Sequence, residues 1–313
     1  MSLRPLFLLV MLMGAPPAGA QVNRPVNGPA DKSQVFAFTH ATVHPSPGKT
    51  LPDATVLVQE GRILAVGQNG IAPMDAVVRD LRGLHVWPGL VEPYGAIGIP
   101  NVMSNGAEKS GGAHFWNPAI RSSTDAFKLY APDEEKAAAL RAQGFATVIA
   151  HRMDGIARGT ACAVLLAGRT PTEDILLPEA AAQFSLRKGS SKEDYPSSLM
   201  GSIALLRQTL YDAQWYAEQG HQQQSDADLR ALHAQLGLPL VIEASNRNDV
   251  LRIASIGREF GLRFIVKGAG DEYARLGDVL ATGQPLIIPM SLPEAYDVED
   301  PFDALDVSLA KLK

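Results

Sequence analysis

The chain has 313 residues, 46% hydrophobic and 19% charged, which is enough to bury a sizeable core as one large α/β unit or as two domains and excludes wholesale disorder. A formal net charge of −5 supplies no basic field for a polyanionic backbone, which argues against nucleic acid as a partner. The single cysteine, Cys162, cannot close an internal disulfide, and its apolar surroundings (161–167) make it a small buried side chain.

Residues 1–20 carry one basic residue, Arg4, then an apolar run over 6–13, then Ala18-Gly19-Ala20. This is the pattern of a secretory signal peptide cut after Ala20, too short in its apolar part to span a bilayer, and it implies a periplasmic or secreted protein with no membrane span after cleavage. Residues 21–34, polar with Pro25, Gly28 and Pro29, read as a linker. Short β-branched runs follow at 35–43, 54–58, 62–66, 77–81 and 84–87, which predict a small sheet or sandwich over 35–88. Gln59-Glu60-Gly61 is the expected hairpin turn, and Pro45 to Gly48 a break. Gly48-Lys49-Thr50 imitates the end of a phosphate-binding loop, but that loop needs a glycine five residues before Gly48, where Val43 stands.

The stretch 84–100 organises what comes next. An apolar run passes through Trp87-Pro88-Gly89 into Leu90-Val91-Glu92 and breaks at Pro93 and Gly95, a short buried strand and then a loop. Residues 101–112, rich in Gly, Asn and Ser, predict a mobile loop. A helix is expected at 132–143, with acidic residues at its start and Gly144 at its end. Strands are expected at 145–150, 161–166 and 174–177. The clearest helix spans 196–220, with Leu199, Ile203, Leu206, Leu210, Ala213 and Ala217 on one face and Ser197 or Ser198 as cap. Beyond it, strands at 238–244, 263–266 and 285–289 alternate with helices at 248–260 and 271–281, which argues for parallel strands joined by right-handed crossovers.

Pro88-Gly89-Leu90-Val91-Glu92 is similar to the first barrel strand of the metal-dependent amidohydrolase superfamily, and 51–67 resembles the start of the composite β domain that flanks such barrels. The resemblance implies an α/β fold: an incomplete TIM-like (β/α)8 barrel over 89–313, lacking its last strand or strands, preceded by a small β-sandwich domain over 35–88. It also implies hydrolysis of carbon–nitrogen bonds other than peptide bonds, with zinc or another divalent metal lowering the pKa of a bound water. In the family the ligands come from a His-x-His pair on strand one, often a lysine on strand four, histidines on strands five and six, and an aspartate on strand eight. Here Tyr94 and Ala96 stand at the first pair, Glu243 at the strand-five position and Gly268 at the strand-six position; no strand-four lysine can be placed. Of the seven histidines, only His40 and His44 lie close in sequence, inside the β domain. No metal or other cofactor is therefore expected in this chain, and the unit reads as degenerate.

Two further groups stand at the expected barrel mouth. His151, Arg152, Asp154 and Arg158 follow one strand and read either as an anion pocket with His151 as acid or base, or as a tight loop with solvated charges. Glu243 and Lys267 end adjacent strands and are expected to form a salt bridge that plugs the vacated pocket, with Tyr94 as further filler. Ser185 to Ser191, Tyr195 to Gly201 and Asp212 to Tyr216 resemble an exported bacterial branch in which a degenerate unit is followed by a second unit that keeps its ligands. The resemblance thus implies two functions: an amidohydrolase whose own unit is inactive, or a non-catalytic scaffold or binding unit packed against a competent one. A metal-independent enzyme using His151 and Asp154 is the third reading, and the substrate is undetermined.

Overall fold

The structure is a computed structural model that describes residues 34–68, 70–100, 113–219, 222 and 225–289. The expected signal peptide, all but the last residue of the expected linker, the stretch expected to be a loop at 101–112, and His221 lie outside these residues. The chain divides into two compact units, residues 1–88 and 89–313.

The first unit is a five-stranded sheet of β1 (Val35–Ser46), β2 (Lys49–Gln59), β3 (Arg62–Gln68), β4 (Val77–Asp80) and β5 (His85–Val86), in which β1 pairs with β2, β4 and β5. The described residues form this one sheet and not two packed sheets. Alternation puts Ala41 and Val43 of β1 and Ala54 and Val56 of β2 into a small buried cluster. The predicted break at 45–48 is instead the turn of a hairpin: Ser46 pairs with Lys49, and Gly48 takes the φ of +75° that a Pro-Gly turn demands. The expected hairpin at 59–61 is present, with Gln59 opposite Arg62.

The second unit is built on β6 (Leu90–Gly95), β7 (Phe145–Ala150), β8 (Ala157–Leu165), β9 (Ile175–Ser185), β10 (Leu240–Glu243), β11 (Phe264–Lys267) and β12 (Leu286–Ile287), side by side in chain order. Strands β9 to β12 are mutually parallel, as are β6 and β7, but β8 runs antiparallel to both neighbours. The parallel strands expected beyond residue 238 are present, and the expectation of a (β/α)8 barrel is corrected at β8. The runs at 161–166 and 174–177 are parts of two long strands that pair directly and antiparallel, joined by a connection that holds only a one-turn helix at Pro171–Asp174. Among the described residues the strand path is open, from β6 to β12, so no closed barrel is formed.

Among the described residues seven α-helices accompany this sheet: α1 (Ala126–Leu129), α2 (Glu134–Ala142), α3 (Pro171–Asp174), α4 (Leu199–Glu218), α5 (Ala227–Gln235), α6 (Arg247–Phe260) and α7 (Leu276–Ala281). Ser198 caps α4 by accepting from Gly201 N, and Asn246 caps α6 by accepting from Asn248 N and Asp249 N. Gly261, at φ +66°, ends α6 in the left-handed conformation. The helix expected at 271–281 begins as a 3₁₀ turn at Glu272–Arg275 before becoming α7. Even residues of the central strands (Phe184, Ile242, Phe264, Val266) pack against Leu205, Leu206, Leu210, Leu232 and Ile253 of the helices. Each such side chain contributes about 1.5–3 kcal/mol by burial. The buried face of α4 is centred on Leu205, Leu206, Thr209, Leu210 and Ala213, slightly rotated from the predicted one, with Leu199 and Ile203 at its margin. Odd residues face the other way: Ala161, Ala181 and Val241, with Ile149, Ile265 and Ile287, form a small apolar layer that also includes Tyr94. Glu243 and Lys267 stand at the C-terminal ends of β10 and β11, and Arg158, at the start of the antiparallel β8, lies at the same end of the sheet.

Candidate functional site

Tyr94 is the hub of that end of the sheet. It lies in β6, and its hydroxyl meets two charged groups from across the sheet. Arg158 Nη1, from β8, donates to Tyr94 Oη at 2.8 Å, and Tyr94 Oη donates to Glu243 Oε2, from β10, at 3.1 Å. Arg158 Nη2 closes the triangle by donating to the same Glu243 oxygen at 2.8 Å, and its Nε donates to Gly155 O at 3.0 Å. The guanidinium is thus held on both edges, in a site where its side chain is only 4% exposed. Lys267, ending β11, lies 5.6 Å from the centre of the Tyr94 ring, on its face.

The electrostatics follow from this packing. Burial alone would raise the Glu243 carboxyl, but the Arg158 charge and the hydrogen bonds from Arg158 and Tyr94, with Lys267 nearby, overcome it and hold the pKa below the ordinary carboxylate range. The Tyr94 phenol is pushed up, first by burial and then by the Glu243 charge, so it stays a neutral donor. His151 packs edge-on against Tyr94, ring centres 4.4 Å apart, and is fully buried. Burial and the Arg158 charge lower its pKa to about 3, so it is a neutral imidazole at physiological pH. Neither of its ring nitrogens finds a protein partner of good hydrogen-bonding geometry, and the amide of Gln183, also buried, is likewise unpartnered.

The residues read from the sequence are divided by the structure into two groups. Tyr94, His151, Glu243 and Lys267 come together, joined by Arg158, which belongs to β8 and not to the loop after β7. The expected Glu243–Lys267 salt bridge is not formed; Arg158 takes the carboxylate, because its fork reaches Glu243 and Tyr94 together while Lys267 settles over the ring. Arg152 and Asp154 form a separate pair. Arg152 Nη2 donates to Asp154 Oδ2 at 3.0 Å, and the same carboxylate accepts from Ser190 N at 2.6 Å and Ser190 Oγ at 2.7 Å. Asp154 therefore anchors the 189–190 turn and is spent there. Burial opposes its ionisation, yet the Ser190 bonds and the Arg152 charge keep its pKa low. A His151–Asp154 acid–base pair is not assembled.

Ala96 and Gly268 complete the four positions. Ala96 follows β6 and lines a cavity of about 710 Å³ with Ile97, Ile99, Leu140 and Met153. A Cβ at Gly268 would crowd the Glu272 carboxylate, which would have to shift to admit it. That carboxylate is fixed by Ala269 N at 2.6 Å and Gly270 N at 2.9 Å. The donor set at the hub consists of one carboxylate already shared by a guanidinium and a phenol, an imidazole and an ammonium. A divalent cation needs several anionic or lone-pair donors around one point, and these residues do not fit it. Among the described residues no group of three or more His, Cys, Asp or Glu could hold a metal ion. Elsewhere, His40 pairs with Asp80 at 3.3 Å, and the close histidine pair is His44 with His85, 2.8 Å apart across β1 and β5 and not His40 with His44. Cys162 is buried, and burial raises its thiol to about 11. Arg158 was read from the sequence with the group after β7, as an anion-pocket residue, and the structure gives it Tyr94 and Glu243 as partners instead; Glu272 carried no distinguishing sequence signal. No described helix is long and apolar enough to cross a membrane.

No protein-family model matches the sequence, and no curated protein matches it either. Among solved structures the chain is similar to an amidohydrolase from Thermotoga maritima MSB8, at 22% identity and a TM-score of 0.70, over 88% of this chain and 75% of that one. Molinate hydrolase (14% identity, TM-score 0.41, 82% of this chain and 63% of that one) and the N-acyl-D-glutamate deacylase of Bordetella bronchiseptica (16%, 0.37, 82% and 58%) are more distant, too far to bear on the fold. The likeness to the Thermotoga protein extends through both units of the chain and concerns architecture alone. This chain has the amidohydrolase fold.

Proposed function

We propose that this chain is an exported member of the amidohydrolase superfamily, a family that hydrolyses carbon–nitrogen bonds other than peptide bonds, and that this unit has exchanged its metal site for an ion-pair cluster. One observation carries the reading: the Arg158 guanidinium is hydrogen-bonded at 2.8 Å to both Tyr94 and Glu243, two residues at positions where the family places metal ligands. A fixed cation there repels a divalent ion and uses up the one carboxylate that could bind it. The unit then serves as a scaffold or binding unit beside a competent amidohydrolase unit, and Ala18-Gly19-Ala20 supports export with cleavage after Ala20.

Elemental analysis of the purified protein after dialysis tests this, beside a Tyr94→His/Ala96→His variant. The expected result is no stoichiometric zinc in either. Zinc at one equivalent in the unmodified chain would return direct metal-dependent hydrolysis to first place.

A further inference from the structure

We infer that a pocket at the C-terminal ends of β9 and β10 binds a small organic oxyanion through the guanidinium of Arg187. The pocket has a volume of about 520 Å³ and is walled by the segments that leave those two strands and by the start of α4. That size lies within the roughly 300–1,000 Å³ of small-molecule sites, and the C-terminal edge of parallel strands is where α/β sheets place ligands.

Its charge and its donors select the ligand. Arg187 Nε donates to Ser245 Oγ at 2.9 Å, which fixes one edge of the guanidinium; among the described residues no acceptor takes either Nη. Two parallel N–H donors on a planar cation match two oxygens of a carboxylate or phosphate. Lys188, held by Glu193 O at 2.9 Å, adds a second positive charge to the wall. The one carboxylate of the lining, Asp249, is already compensated: Oδ1 accepts from Arg252 at 2.8 Å and Oδ2 from Ser245 N at 3.0 Å. The field in the pocket is therefore positive. Ser197 and Ser202 supply neutral hydrogen-bonding walls, and the remaining space accommodates the body of the molecule. None of these side chains belongs to the Tyr94–Arg158–Glu243 cluster, so the two sites are tested separately.

Calorimetric titration of the full chain with inorganic phosphate and with succinate tests the inference. At least one probe should bind saturably, at one equivalent, with Kd about 1 mM or tighter. Arg187→Ala should weaken that binding about tenfold or more, whereas Arg258→Ala, which removes an exposed arginine outside the pocket, should leave it within about threefold. Arg187→Gln, which keeps most of the stem, replaces the alanine variant should that one fail to fold. Phosphate binding alone identifies a phosphorylated ligand, and succinate binding alone a carboxylate. No saturable binding of either probe, or binding that the loss of the Arg187 charge leaves unchanged, overturns the inference.

Discussion

Arg158 is the residue on which the hub depends. Its removal would leave Glu243 partly buried without its main counter-charge and Tyr94 with one partner fewer. Breaking a buried pair costs about 3–5 kcal/mol, and the one-quarter exposure of Glu243 reduces this to about 2–3 kcal/mol for Arg158→Ala, measured by urea unfolding at pH 7. Glu243 has a folded pKa below its unfolded one, so its contribution is complete above the unfolded carboxylate range and disappears as pH falls through the lower, folded value. His151 acts in a higher window. With a folded pKa of about 3, it binds fewer protons in the native state than in the unfolded one between that value and the ordinary imidazole pKa, so stability falls as pH drops through this range. Equilibrium unfolding from pH 7 to 4.5 should show a slope approaching about 1.4 kcal/mol per pH unit below pH 6.5 that His151→Phe abolishes. An unchanged slope in the variant would place the acid sensitivity elsewhere.

At the scale of elements, helices were legible and the middle strands were not. The cap at Ser198 is a local signal, satisfied by Gly201 N three residues on, so sequence alone announces it; the Asn246 cap, equally local, was not read and the helix begins one residue earlier than expected. Strand β9 was expected only over 174–177, whereas it continues through Pro178 and Glu179 to Ser185. Along 175–181 it has only β8 as a neighbour, and β10 joins from Ala182 onward, so the proline sits on an open edge where its missing N–H costs nothing. The turn after β11 offers a test of local packing. Gly268→Ala must displace the Glu272 carboxylate from Ala269 N and Gly270 N, and should cost about 1–3 kcal/mol in urea unfolding. In a Glu272→Ala background the same change should cost far less, a coupling that a double-mutant cycle reads directly.

For the whole molecule, the open strand path leaves β6 with a partner on one side only among the described residues, and Leu90 and Val91 there are 53% and 55% exposed. An apolar strand edge is a template for association. Sedimentation at roughly 100 µM should show concentration-dependent self-association that Val91→Lys suppresses. A strictly monomeric chain at that concentration would count against the scaffold reading as well, since that reading needs a face to offer a partner.

The sequence by itself determined what local chemistry can specify. It marked the short strands of the first unit, the helix cap at Ser198 and the strand at Leu90–Gly95. It placed two groups at the expected barrel mouth, His151, Arg152, Asp154 and Arg158 in one and Glu243, Lys267 and Tyr94 in the other, and it misassigned the partner of Glu243. The tertiary structure decided that partner. Arg158 lies 64 residues from Tyr94 and 85 from Glu243, and it reaches both only because β8 reverses direction between β7 and β9. Register across strands, unlike a cap or a turn, is settled by burial of whole faces, and no short stretch of sequence contains it.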